Sequence, residues 1–184
     1  MLDKEIDDLK DEIIKSYVDD DLQATIVFLG WLADKIVNST RNVDAQANIV
    51  MGLSTGIFVL AVNEISSSDR FYFTLMFAAA FSAVSAVIAL LAIRPLSVML
   101  KNGHEESMFF TRKISSFPSA KKYSEELIKI LKTDDEIFYQ YGMEIYNLSK
   151  YYYRPKRNLY AIARNIFLLG AVVSIISIFI ELHL

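Results

Sequence analysis

Three stretches of this chain carry no more than one charged side chain over roughly the length that a helix needs to cross a lipid bilayer. They are residues 45–63, 71–93 and, across the single Arg164, 159–180. About 20 helical residues span the hydrocarbon core, and a long arginine side chain can reach the head groups. A soluble chain of 184 residues has too little other material to bury three such helices. The sequence therefore predicts an all-α integral membrane protein with three transmembrane helices.

Lysine and arginine lie unevenly around these stretches, which predicts the orientation of the chain. Cytoplasmic flanks of transmembrane helices are rich in these residues. They are frequent in residues 94–157, whereas the hairpin loop 63–70 holds only Arg70 and the tail after Ile180 holds none. We expect the N-terminus and residues 94–157 on the cytoplasmic side of the membrane, and the C-terminus outside. The chain opens on acidic, amphipathic residues, so no signal peptide is expected.

The chain divides on this basis into two predicted cytoplasmic parts and two membrane parts. Apolar residues recur at three- and four-residue spacing in both cytoplasmic parts, which indicates amphipathic helices. Thr133-x-x-Glu136 has the form of a capping box and predicts a helix start, and Arg154-Pro155 marks the expected helix end. The predicted segments are an N-terminal helical region at 1–40, a transmembrane hairpin at 41–93, a second helical region at 94–157, and the third transmembrane helix with the C-terminus at 158–184.

Small residues recur along the predicted transmembrane helices and indicate close helix packing. Such residues let two backbones approach in the membrane, where van der Waals contacts and short hydrogen bonds drive association. The pattern fits packing within one chain and packing between copies, and we expect a homo-oligomer. The predicted packing residues are Gly52, Gly56, Ala78, Ser82, Ser85, Ala89, Gly170, Ser174 and Ser177.

The residue types that catalysis and metal binding need are scarce. Cysteine is absent, and the two histidines, His104 and His183, are far apart in sequence. We therefore expect no metal site, no catalytic residue, no cofactor and no enzymatic activity. A net charge of −3 argues against nucleic acid as a partner. No ionisable residue lies near the middle of a stretch, which disfavours an ion-coupled transporter.

The richest polar cluster precedes the third stretch and allows two interpretations. As a membrane anchor, its basic groups would meet anionic head groups and its tyrosines would lie in the aromatic belt. As a ligand site, the cations would hold a phosphate and a tyrosine would stack on a ring. The cluster consists of Lys150, Tyr151, Tyr152, Tyr153, Arg154, Lys156 and Arg157.

The order of these elements resembles the transmembrane effector family of Pycsar, the bacterial pyrimidine cyclase system for antiphage resistance. The resemblance covers roughly residues 40–182, and Gln46 stands where the family typically has a lysine. It is carried by Asp44-Ala45-Gln46-Ala47, Arg94-Pro95, Phe109-Phe110, Tyr123 to Leu127, and Leu148-Ser149-Lys150 leading to Lys156-Arg157.

The resemblance implies a membrane effector of abortive infection that a cyclic pyrimidine nucleotide, cUMP or cCMP, activates to impair the inner membrane. No separate cyclic-nucleotide-binding domain is evident, so the ligand site would be built from the helices or supplied by a partner. Two alternatives stay open. One is a small membrane scaffold that recruits a partner through its cytoplasmic helices. The other is an effector of another nucleotide-signalling defence system, whose two-span form the third stretch argues against.

Overall fold

The computed structural model describes residues 22–65, 71–94 and 106–183, and these ranges are mostly helical with no strand. The longest helices of these ranges are each long and apolar enough to cross a membrane, which confirms the predicted fold class. The predictions for residues 1–21 and for His104 concern residues outside these ranges. The elements are α1 (Leu22–Ile65), α2 (Tyr72–Ile93), α3 (Thr111–Ser115), α4 (Ala120–Ile130), α5 (Asp134–Asn147), a π-helical turn (Leu148–Tyr153) and α6 (Arg154–His183).

The chain forms two compact units. Within the described ranges, the first combines residues 22–36 with 106–147, and the second combines residues 37–65 and 71–94 with 148–183. The second unit contains the three predicted transmembrane stretches, and the first contains α3, α4 and α5.

In the first unit, side-chain hydrogen bonds hold the segment before α3 against α5. Ser107 Oγ donates to the Glu144 carboxylate, and the backbone N–H of Met108 donates to Gln140 Oε1 at 2.8 Å. Ser107, Met108 and Gln140 are buried, so these bonds satisfy polar groups that water does not reach. The α5 helix begins directly after Thr133, which confirms the helix start that the capping-box pattern predicts.

The expected helix end at Arg154-Pro155 is wrong. The α5 helix continues through the π-helical turn into α6, and Pro155 is the second residue of α6. A proline inside a helix lacks an N–H donor, and its ring clashes with the carbonyl four residues earlier. Residue 151 lies in the π-helical turn, whose wider winding gives the ring room. The helical run therefore passes the proline without ending.

In the second unit, α1 and α6 run parallel and α2 runs antiparallel to both. One end is marked by an ion pair between Asp44 and Lys156, and the other by hydrogen bonds from α2 to Glu181. Between these ends, Val50, Ala89 and Ala163 form a small core, one residue from each helix. The contacts at the two ends and in the middle fix the register of the three helices.

A buried chain of hydroxyl groups joins the three helices at the level of this core. Ser54 Oγ donates to Ser85 Oγ at 3.1 Å, and Ser85 Oγ donates to the Ala163 carbonyl oxygen at 2.9 Å. Hydrocarbon offers these groups no other partner, and interhelical hydrogen bonds in membranes contribute about 0.6–1.7 kcal/mol each. The serines therefore link all three helices.

The α2 helix is capped by a residue from α6. Phe71, at its start, has φ 62° in the left-handed region and gives α2 no side-chain cap. The Glu181 carboxylate accepts from the backbone N–H of Phe73 at 2.8 Å and from Thr74 Oγ1 at 2.6 Å. An acidic group at a helix N-terminus satisfies its unpaired N–H groups and its positive dipole end. This contact ties the end of α6 to the start of α2.

The nine residues that the sequence singles out for packing lie in two different surroundings. Most lie between helices, and Gly170 packs closely against α2, since a Cβ there would lie well inside contact distance of Phe81 Cβ. By contrast, a Cβ at Gly52 or Gly56 would meet no atom of the described chain within 4 Å. Those buried are Ser82, Ser85, Ala89, Gly170 and Ser177, while Ala78 and Ser174 are partly buried.

Candidate ligand site

The residues of the predicted cluster Lys150–Arg157 lie along the π-helical turn and the first turn of α6. Arg154 is exposed, and Lys150 is exposed with its Nζ 5.4 Å from the centre of the Tyr151 ring. Tyr151 and Tyr152 are partly buried. Two members of the cluster, Tyr153 and Arg157, line a cavity together.

Lys156 is engaged in an ion pair with α1. Its Nζ lies 2.7 Å from each of the two carboxylate oxygens of Asp44, and the two side chains are 13% and 29% exposed. Because the carboxylate already balances its charge, Lys156 is a structural link between α1 and α6. Its role in the geometry is to hold the two helices together beside the cavity.

The cavity lies between α1 and the helical run that enters α6, and it has a volume of about 460 Å³. This volume is typical of pockets for small molecules. Polar and aromatic side chains form most of the wall, and no acidic residue belongs to it. The wall consists of Ser39, Asn42, Val43 and Gln46 from α1, with Tyr153, Arg157, Tyr160, Ala161 and Arg164 from the other side.

Two arginine–tyrosine pairs give the cavity its charge and its aromatic surface. The Arg157 guanidinium carbon lies 6.0 Å from the centre of the Tyr153 ring, and that of Arg164 lies 5.7 Å from the Tyr160 ring. Arg164 also donates from Nε and Nη2 to Asn165 Oδ1, at 3.4 and 3.2 Å. Among the described residues neither guanidinium has a carboxylate partner. The cavity therefore presents two unbalanced positive charges, which favour an anion.

Sequence reasoning identified two of the five wall residues opposite α1, Tyr153 and Arg157, and missed the other three. The sequence analysis expected Arg164 only to extend its side chain to the lipid head groups, and it did not single out Tyr160. The signal is the repeated spacing Tyr153-x-x-x-Arg157 and Tyr160-x-x-x-Arg164, which puts all four side chains on one helix face. The wall residues of α1, at positions 39, 42, 43 and 46, also share one helix face. None of them is charged, so the sequence does not single them out.

Comparison with known proteins agrees with this architecture. The family model of the Pycsar effector protein domain matches residues 28–181, a range that includes every residue of the cavity wall. No curated protein and no solved structure matches the chain. The match extends over far more than half of the sequence and confirms the resemblance that the order of elements indicates. This chain belongs to the Pycsar effector domain family, the transmembrane effectors of an antiphage defence system.

Proposed function

We propose that this protein is a cyclic-nucleotide-activated effector that impairs the integrity of the bacterial inner membrane during phage infection. The observation that carries the proposal is the extent of the family match, which includes α2 and nearly all of α1 and α6. The whole membrane unit is therefore effector domain rather than an anchor for some other activity. A pyrimidine cyclase of the same system supplies the ligand, cUMP or cCMP.

The proposed ligand contacts begin with Tyr153 and Arg157, the two members of the predicted cluster that line the cavity. Lys150 and Arg154, which do not belong to the cavity wall, would lie at anionic head groups at the inner membrane surface. In this orientation the N-terminus and residues 94–157 are cytoplasmic and the C-terminus is outside. The cavity end of the helix bundle then faces the compartment in which a cyclase releases its product.

Ligand binding would act through the contact between α1 and α6. A ligand changes a conformational equilibrium only by the difference in its affinity for the two arrangements. A ligand in the cavity contacts both helices, and the same helices meet again at the Asp44–Lys156 ion pair and at the buried serine chain. Three helices alone cannot enclose a selective pathway, so membrane damage requires several copies or disturbed lipid.

The proposal is tested by membrane potential in bacteria that express this chain. An inducible pyrimidine cyclase that makes cUMP or cCMP is supplied beside it, and a catalytically inactive cyclase is the control. We expect depolarisation only where the chain and an active cyclase are present together. Unchanged potential with the chain present and correctly inserted would instead favour a scaffold that recruits a partner.

A further inference from the structure

The cavity between α1 and α6 has the chemistry of a nucleotide site, and this inference rests on the proposed function. We infer that it binds a phosphate-bearing nucleotide in contact with both Arg157 and Arg164, with the tyrosines beside them offering faces for the base. Three of the residues in this assignment, Arg164, Tyr160 and Gln46, lie outside the cluster that the sequence indicates.

The charge balance of the wall selects an anion. Two guanidinium groups line the cavity, no acidic side chain belongs to the wall, and the nearby Asp44 carboxylate is occupied by Lys156. Arginine donates several hydrogen bonds in a fixed plane and matches phosphate oxygens in pairs. Arg164 also interrupts an otherwise uncharged stretch, where an ionisable residue is costly and commonly marks a functional site.

The spacing of the two arginines selects a ligand longer than a single phosphate. Seven residues of helix place their Cα atoms about 10 Å apart along the axis. Each guanidinium lies over the tyrosine four residues before it, so the two groups share one face at different heights. A lone phosphate would engage one of them. A nucleotide can place its phosphate at one arginine and the carbonyl oxygens of its base at the other.

The remaining wall suits a base and a sugar. Two tyrosine rings offer surfaces for stacking, which is worth about 1–3 kcal/mol per base. Ser39, Asn42 and Gln46 lie opposite on α1 and carry both donors and acceptors for hydrogen bonds. The volume of about 460 Å³ also lies within the range of small-molecule pockets.

The test is direct binding of radiolabelled cUMP and cCMP to the full chain in phosphatidylcholine nanodiscs. We expect Arg157→Gln and Arg164→Gln each to weaken binding by about 10- to 100-fold, the effect of a lost hydrogen bond to a charged group. Arg154→Gln is the matched control, because Arg154 is an exposed arginine on the same helix outside the wall, and its affinity should not change. Gln46→Lys should tighten binding by adding a third cation.

Further arms separate the possible sources of phosphate. Inorganic phosphate should compete weakly, and phosphatidylglycerol in the nanodisc should leave nucleotide binding nearly unchanged. Binding of phosphatidylglycerol that both arginine substitutions remove, with no binding of nucleotide, would assign the cavity to a lipid head group and overturn the inference. Nucleotide binding that neither substitution weakens, in variants that unfold like the wild type, would also overturn it while leaving the proposed function standing. Failure of the proposed function is seen separately, as unchanged membrane potential in cells.

Discussion

Replacing Gly170 by alanine tests the packing of α2 against α6. The added Cβ would lie 2.4 Å from Phe81 Cβ and 2.9 Å from Phe81 Cγ, well inside contact distance. These atoms are at the base of the phenylalanine side chain, so a change of rotamer cannot move Phe81 Cβ away. The helices must shift apart instead, and such overpacking costs about 1–3 kcal/mol. We expect Gly170→Ala to lower the free energy of unfolding by this amount.

The measurement is the free energy of unfolding in mixed micelles, from titration with a denaturing detergent. Gly52→Ala and Gly56→Ala are the controls, because the described chain leaves open space around both positions. Alanine favours helix over glycine by about 1 kcal/mol, so the controls should unfold at equal or slightly higher denaturant. The same chemical change is thus destabilising at one helical glycine and harmless at two others.

Equal stability of the three alanine variants would refute the α2–α6 packing. Measuring the same substitution in a Phe81→Gly variant gives a sharper test of this contact. Phe81→Gly removes both atoms that the new Cβ would meet, so Gly170→Ala should cost clearly less in that background than in the wild type. Additive effects of the two substitutions would mean that residues 81 and 170 are not in contact.

Further substitutions test the other links in the bundle. Lys156→Ala should destabilise the bundle by about 1–3 kcal/mol, because it leaves Asp44 partly buried without its partner, and a double-mutant cycle with Asp44→Asn should show the coupling. Ser85→Ala should lower the free energy of unfolding by about 1–3 kcal/mol, because it breaks two interhelical hydrogen bonds. Ser174→Ala should be neutral or stabilising, because the buried hydroxyl of Ser174 has no partner among the described residues. Equal stability of these two variants in unfolding titrations would contradict this prediction. Glu181→Gln should cost about 0.3–1 kcal/mol by weakening the cap of α2, measured in the same titration at low salt, with no change meaning that the cap contributes nothing.

The membrane helices could be predicted from the sequence because their cause is local. An uncharged stretch of sufficient length is a property of consecutive residues, and residues 45–63 and 159–180 lie inside α1 and α6, while 71–93 matches α2 with Phe71 as its cap. The helix start after Thr133 follows for the same reason. The predicted helix end at Pro155 was wrong, because the rule that proline ends a helix does not take account of the π-helical turn, which accommodates the proline ring.

The cavity could not be predicted, because it depends on which helices are neighbours. Gln46 and Arg164 are 118 residues apart in sequence and meet only because α1 packs in parallel beside α6. Nothing in the pattern of either helix specifies that register. The sequence predicts a ligand site at Lys150–Arg157 because this run is dense in charge. Its residues are spread around the helix, and Lys156 forms an ion pair with Asp44 instead of lining the cavity.

The position of Arg164 connects the ligand cavity to the stability of the bundle. Ala163, its neighbour, supplies the buried carbonyl oxygen that receives the hydrogen bond from Ser85, and its methyl group belongs to the small core. An arginine at the next position faces the polar wall formed by α1, where hydrogen-bonding groups reduce the cost of a charge at the membrane. A rotation or shift of α6 that moved Arg164 toward a bound phosphate would also move the Ala163 carbonyl oxygen relative to Ser85. On the proposed assignment of the cavity, ligand binding and helix packing would be coupled through adjacent residues of one helix. Ser85→Ala should therefore change the nucleotide affinity measured in nanodiscs, although Ser85 lies outside the cavity wall.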